Sequence, residues 1–336
     1  MLTSPCAKYK IITMKNMKAP QLETSEAIRE IRLACADELA AVEFLEQHRW
    51  GGSPCCVHCQ SKNVYKMVDD KTGERNARFL WRCRDCKKQY TVRIGTVYEE
   101  SRIPLKHWCY AFWRASTSKK GVSALEIMRH CQISYKSALF LMHRIRFAVA
   151  PDSSAPKLKG RVEADETFIG GKPRPYNYHR GIAHRTKKAP VFAMVERDGS
   201  IRRLVVPTVS ARNLRAALAQ YVDRSATLLT DENPAYLGSH SRFEGGHFTV
   251  HHSSGEYVAF NGAHINTAES SFAILKRGIN GIFHAVSKEH LHRYVGEFDF
   301  RWNTRKMNDG DRTVAAIQGA NGKRLMYRYV EPDKAA

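Results

Sequence analysis

RVEADETFI, residues 161–169, reads as a single β-strand that ends at Gly170-Gly171 and carries an aspartate, Asp165, in its interior. Upstream, Pro151 to Lys159 is rich in Pro, Ser and Lys, the composition of a linker. Before that linker the chain reads as helices and paired cysteines; after it, strands alternate with helices. The strand therefore opens a second, separately organised half. Pro190 to Glu196 and Ile201 to Thr208 form a hairpin about the turn pair Asp198-Gly199. Asn213 to Val222 is helical, Ala226 to Thr230 is a short strand ending at Asp231, and His247 to His251 is another strand. Helices over Thr267 to Ile279 and Lys288 to Asn303 complete this half.

Three acids stand out by position: Asp165 on the first strand, Asp231 at the end of a later one, and Glu269 in a helix. Strand-Asp, hairpin, helix, strand-Asp, helix-Glu suits an RNase H-like mixed sheet, where strand ends and a facing helix bring carboxylates together. Three such charges repel one another unless cations join them. Two Mg²⁺ ions, or Mn²⁺ in their place, would relieve that repulsion and bind both the attacking and the leaving oxygen of an in-line phosphoryl displacement. Other readings of the same residues stand beside this one. The chain has 33 acids, and Glu163, Glu166 and Glu232 are close neighbours. Asn266-x-x-Glu269 has the form of a capping box, with Asn266 as N-cap and Glu269 at the third helical position. Asp231 before Glu232-Asn233-Pro234 has the form of a turn start. His251, His252 and His264 suggest a zinc hydrolase, but adjacent histidines on one strand point to opposite faces and make poor joint ligands.

In the first half, Thr24 to Trp50 reads as one helix, with Ile28, Ile31, Cys35, Leu39, Val42 and Leu45 at helical spacing, ended by Gly51-Gly52-Ser53-Pro54. Cys56-x2-Cys59 and, 23 residues on, Cys83-x2-Cys86 have the spacing of two zinc knuckles, a tetrahedral sulfur site for one structural Zn²⁺. A unit this short has little core, so metal binding supplies much of its folding free energy. Short β-prone runs lie at Asn63 to Val68, Arg78 to Arg82 and Gln89 to Val92. Pro104 opens a helix whose face is Trp108, Ala111, Phe112 and Ala115. A helix-turn-helix follows. Its first helix runs from Ser123 to His130 with Leu125 and Met128 inward, and Cys131-Gln132-Ile133-Ser134 makes the turn. A second helix, capped by Ser134, runs to Ala148. Ala138, Met142 and Ile145 face the core there, leaving Lys136, Phe140, His143 and Arg144 on the opposite face, free for DNA.

The 336 residues carry 54 Lys and Arg against 33 Asp and Glu, a formal net charge of +21. Both halves are basic, which points to a polyanion, and to nucleic acid in particular. Hydrophobic residues make up 43%, enough for real cores and against wholesale disorder. No stretch reaches the length of a membrane helix and no export signal is read at the start, so the expected partners exclude a membrane and the expected place is the cytoplasm. Nine cysteines without an export signal argue for reduced thiols. The loop KPRPYNYHRGIAHRTKK, residues 172–188, holds six Lys or Arg and no acid; Lys172, Arg174, Arg180, Arg185, Lys187 and Lys188 read as a track for DNA.

Taken together, Trp81-Arg82-Cys83-Arg84-Asp85-Cys86, Gly95-Thr96-Val97-Tyr98, Glu163 through Gly171, Thr230-Asp231-Glu232, and His264 through Glu269 with Leu275-Lys276-Arg277-Gly278 resemble the bacterial insertion-sequence DDE transposases of the ISXO-like group with an N-terminal zinc ribbon. The resemblance runs from about Glu26 to Asn308. It implies a multidomain chain of α+β and α/β character: a zinc ribbon and helix-turn-helix, then an RNase H-like catalytic domain with a mixed sheet and flanking helices. The expected partition is 1–23 as lead-in, 24–50 helical, 51–100 ribbon, 101–150 helix-turn-helix, 151–159 linker, 160–310 catalytic and 311–336 tail. Asp165, Asp231 and Glu269 take the catalytic, Mg²⁺-binding positions of the family motif. Asn266 is a lesser candidate for the third position. Lys276 takes the basic position seven residues after the last acid, with Arg277 beside it. The implied activity is cleavage at terminal inverted repeats and strand transfer into target DNA by a homo-oligomer that handles two ends together, in a nucleoid-associated bacterial setting. A silent DNA-binding regulator and a nuclease without strand transfer are the rival expectations.

Overall fold

Within the span 24–50, which the sequence predicts as one helix, the described residues form two. In the computed structural model, which describes residues 26–151, 155–171, 188–251, 258–259 and 262–326, α1 spans Glu26–Ala36 and α2 spans Glu38–Trp50. Asp37 breaks them: its backbone is extended and its carboxylate accepts the Ala40 N–H at 2.8 Å, as an N-cap. The break resets the helical phase, so Leu39, expected inside, is 40% exposed.

The cysteine unit is a three-stranded antiparallel sheet of β1 (Val64–Lys66), β2 (Trp81–Cys83) and β3 (Gln89–Tyr90). Trp81 and Tyr90 form its small core with Trp50 from α2. Buried Glu46 of α2 docks it by accepting from Trp81 Nε1 at 2.7 Å and by an ion pair with Arg75.

Next come α3 (Leu105–Thr117), α4 (Ala124–Cys131) and α5 (Tyr135–Ala148). Ser123 and Ser134 cap the latter two, and Gln132 takes a left-handed conformation between them (φ 53°). Trp108, Ala111, Phe112 and Ala115 are buried as a face of α3. In α4 the inward residues are Ala124, Ile127 and Cys131; Leu125, expected inside, is exposed.

The second half is a five-stranded mixed sheet. Its strands are β4 (Arg161–Ile169), β5 (Ala189–Glu196), β6 (Ile201–Val205), β7 (Thr227–Asp231) and β8 (His247–Val250), in the order β6-β5-β4-β7-β8. β4, β7 and β8 are parallel neighbours, while β5 runs antiparallel to both of its neighbours, β4 and β6. One face packs on α6 (Ala211–Tyr221) through Val162, Ala164, Leu214, Leu218 and Leu228. The other packs on α7 (Asn266–Gly278) and α8 (Leu291–Asn303) through Val191, Ala193, Val195, Ala268, Leu275 and Val295. A π-helical turn, Ile279–Phe283, follows α7.

The expected tail is not a tail in its first part. α9 (Asp309–Gln318) returns to the N-terminal core, where Ala316 and Ile317 are buried with the residues of α1, α3 and α5. The halves are also joined at charged positions: Arg146 of α5 and Arg301 of α8 share the buried Glu297. Leu158, at the end of the expected linker, is itself buried and bridges to Val222. Among the described residues no helix is long and apolar enough to cross a membrane.

Candidate active site and metal centre

Strand alternation sorts the acids of β4. Val162 and Ala164 belong to the α6 face, so Glu163 and Asp165 point to the α7 face. On β7, Leu228 also belongs to the α6 face, which turns Asp231 to the α7 side. β4 and β7 pair in parallel with Glu163 opposite Leu229. Two residues further on, the same register brings Asp165 level with Asp231 on adjacent strands, about 4.8 Å apart in the hydrogen-bonding direction. Glu269 sits in the first turn of α7, above that face, and is exposed.

These positions make a repulsive site. Burial pushes the Asp165 carboxyl up to about 7, and the charges of Asp231, Glu166 and Glu269 add to the rise; the Glu166 backbone N–H, donating at 2.7 Å, opposes it. Asp231 accepts the Asn233 N–H at 3.2 Å, so it also serves the turn that follows it. Glu166 faces the other side, where the Tyr236 hydroxyl donates to it at 2.5 Å and Asn233 adds a second bond.

The capping-box reading of Glu269 does not hold. α7 begins at Asn266, so Asn266 is its first residue and not its N-cap, and the N-cap, Ile265, makes no side-chain cap bond. The cap comes from the sheet. Glu163, fully buried, accepts the N–H groups of Thr267 and Ala268 at 2.8 and 3.1 Å and the Thr267 hydroxyl at 2.9 Å. Arg197 holds that carboxylate at 2.9 Å and donates to the carbonyls of Gly262 and His264 at 3.3 and 3.1 Å. In the sequence Glu163 stands only as an acidic neighbour of Asp165; its hold on α7 comes from the packed chain. Its spacing of two from Asp165 was the available signal, since it places both acids on one face.

The four predicted cysteines do meet. Cys56 and Cys86 sulfurs are 3.6 Å apart, those of Cys59 and Cys83 are 3.7 Å apart, and all four lie within 4.8 Å of one another. A tetrahedron with Zn–S bonds of 2.3 Å has edges of about 3.8 Å, so the thiols fit a structural Zn²⁺. The backbone N–H groups of Cys86 and Asp85 favour the Cys83 thiolate, the form the metal takes. Among the described residues no set of acids gathers its oxygens as closely as this.

The expected DNA face of α5 is only partly there. Lys136 is exposed in the first turn. His143 and Arg144 are buried at 8% and 7% exposure, which corrects their assignment to an open face. Arg144 donates to the carbonyls of Val97 and Glu99, both at 2.9 Å. His143 packs on His290 and Tyr294, and burial, together with the charges of Arg146 and Arg293, lowers its pKa to about 3. A neutral, enclosed imidazole cannot hold a phosphate. The second half of α5 is covered by α8 as well as by its own core, a second partner that periodicity does not register. Lys276, Arg277 and Lys188 are exposed. Lys172, Arg174, Arg180, Arg185, Lys187 and His252 lie outside the described residues.

Two family models match this chain: an ISXO2-like transposase domain over residues 157–303 and a transposase zinc-ribbon domain over residues 36–89. A protein of Halobacterium salinarum, described as an uncharacterized protein in transposable element ISH50, is 31% identical over 283 residues, covering 79% of this chain and 90% of that one. The chain belongs to the IS1595 family of transposases. The ribbon match ends at residue 89, beyond all four cysteines of this transposase, and the domain match contains Asp165, Asp231, Glu269 and α8. A fainter likeness joins the transposase to a chain of a simian T-cell lymphotropic virus intasome in complex with a PP2A regulatory subunit. It has a TM-score of 0.27 and 15% identity over 55% of this chain and 66% of that one, too low to bear on function.

Proposed function

We propose that this transposase cuts DNA at the ends of its element and joins them to a target by in-line phosphoryl transfer at Asp165, Asp231 and Glu269. The observation that carries the proposal is the placement of Asp165: half-buried on the central strand, beside the parallel strand that ends in Asp231, with Glu269 close enough for its charge to be felt. Acids assembled against their own repulsion, with oxygen donors only, fit hard divalent cations such as Mg²⁺. When bound, paired Mg²⁺ ions supply Lewis-acid stabilisation of the attacking and leaving oxygens.

The chain's own residues do the positioning. Asp165 and Asp231 lie on adjacent parallel strands that the sheet holds rigidly, and Glu163 with Arg197 fixes the start of the helix that carries Glu269. Lys276 is seven residues along the same helix, nearly two turns, and therefore on the face of Glu269, where it holds a DNA phosphate. The strand order β6-β5-β4-β7-β8, with the first acid on the central strand and the second on its parallel neighbour, supports an RNase H-like reading of this domain. The capped pair α4 and α5 supports a helix-turn-helix, with Lys136 at the exposed start of the second helix. With the basic ribbon it binds the terminal repeats, and two chains act together because two ends are joined in one event.

Asp165→Asn, Asp231→Asn and Glu269→Gln each lower Mg²⁺-dependent cleavage at least about a hundredfold while duplex binding is retained. Cleavage persisting in any one variant removes that residue from the chemistry. Binding without cleavage in the wild type identifies a regulator, and cleavage without joining a nuclease.

A further inference from the structure

A cavity of about 390 Å³ opens where the two halves meet, between the end of α3, the C-terminal part of α7, α8 and α9. Among the described residues no carboxylate lines it. Its inner wall includes Arg203, Arg301 and Trp302, and its rim carries Lys119, Lys120 and Arg277.

The inner wall has a charge surplus. Arg203 and Arg301 are 6% and 8% exposed. Arg203 pairs with buried Asp299 at 2.6 Å. Arg301 pairs with Glu297, which Arg146 already engages at 2.7 Å. Three buried guanidiniums thus share two buried carboxylates, and a buried charge without a counter-charge is costly. The hydrogen bonds tell the same story. Arg203 Nε, Arg301 Nη1 and Trp302 Nε1 are buried donors without a partner among the described residues. An anion held in the cavity offsets the surplus positive charge of this wall.

The rim is fixed across the two halves by close packing. A Cβ at Gly278 of α7 would lie 2.7 Å from the carbonyl oxygen of Lys120. One at Gly121, where φ is +98°, would lie 2.6 Å from the Phe283 ring and 3.3 Å from Arg301 Nη2. The two lysines from the N-terminal half and Arg277 from the catalytic half are therefore held around one opening. All three are exposed, and none enters an ion pair among the described residues. Arg277 is eight residues beyond Glu269 on α7, about 12 Å along the axis, or three to four nucleotides of one strand.

We propose that this cavity holds a backbone phosphate of the bound DNA, on the same strand that reaches Asp165, Asp231 and Glu269, a role that rests on the transposase reading above. It anchors the duplex between the recognition half and the acids, and it commits the strand to the catalytic face.

The test uses the full chain and a duplex of random sequence, with binding measured as a function of salt. Lys119→Gln/Lys120→Gln/Arg277→Gln lowers the slope of log K against log salt by about 0.9, the value of one phosphate contact. The charge-matched Arg212→Gln/Arg224→Gln/Arg242→Gln, exposed on the α6 side of the sheet, leaves the slope unchanged. An unchanged slope in the first variant, or an equal fall in both, overturns the proposal. Inorganic phosphate that raises the melting temperature of the wild type, with no slope change in the first variant, marks a site for small free anions and overturns it too. A wild type that binds no duplex overturns the transposase reading, and this proposal with it.

Discussion

Glu163→Gln changes one atom of a fully buried side chain and removes the charge that starts α7. Glu163 accepts three hydrogen bonds from the first turn of that helix and one from Arg197. A carboxylate at a partly buried helix N-terminus contributes up to about 2 kcal/mol. A donor left without its acceptor adds about 1–3 kcal/mol. The glutamine keeps one acceptor oxygen, so the expected loss is about 2–4 kcal/mol; Glu163→Ala, which strands Arg197 as well, loses about 3–5 kcal/mol. Urea unfolding reads both values from the shift in midpoint at unchanged slope. Amide exchange locates them, because Thr267 and Ala268 lose protection first. A double-mutant cycle with Arg197→Gln gives a coupling of about 0.5–3 kcal/mol. Cleavage falls in Glu163→Gln because the base of the helix carrying Glu269 is released. Glu269→Gln, an exposed position on α7, leaves stability within about 0.5 kcal/mol of the wild type. A Glu163→Gln protein that loses less than about 0.5 kcal/mol, or whose Thr267 and Ala268 amides stay protected, refutes the clamp.

Acid weakens the junction at His143. Its folded pKa is lowered to about 3, below the usual 6.5, so the unfolded chain takes the proton first and stability is lost as pH falls below about 6.5. Between pH 7 and 5 the loss is about 2 kcal/mol, and unfolding midpoints of His143→Phe lack this component. Chelation of zinc, or Cys83→Ser, removes on the order of 10 kcal/mol from the ribbon and collapses the near-ultraviolet signal of Trp50, Trp81 and Tyr90, while the sheet domain keeps its own transition. In metal-free buffer Asp165→Asn raises the melting temperature by removing a buried charge and, secondarily, the repulsion of its neighbours; Mg²⁺ raises the melting temperature of the wild type and not of the variant. A melting temperature lowered by the asparagine and insensitive to Mg²⁺ in both proteins rejects the cation site.

Local chemistry wrote much of this protein into its sequence. Both cysteine pairs are knuckles at ligand spacing, and such pairs meet wherever the intervening chain can close on itself. Ser123 and Ser134 cap α4 and α5 as read, because a cap needs only its own next turn. The run 161–169 is the central strand of the sheet, and the hairpin about Asp198-Gly199 follows it, since alternation and turn chemistry are short-range. What needed the tertiary structure was any residue with two partners. Arg144 and His143 look like an open face on a helix considered alone, yet other segments cover them: the turn at Val97 and Glu99 takes Arg144, and α8 takes His143. Asn266 and Glu269 have the letters of a cap, but the cap is Glu163, more than 100 residues away. The first part of 311–336, expected as a tail, belongs to α9, which returns to fill the first half's core. Periodicity reports which side of an element is apolar; only the packed chain decides how many elements cover it, and that count settled where the charges of this transposase lie.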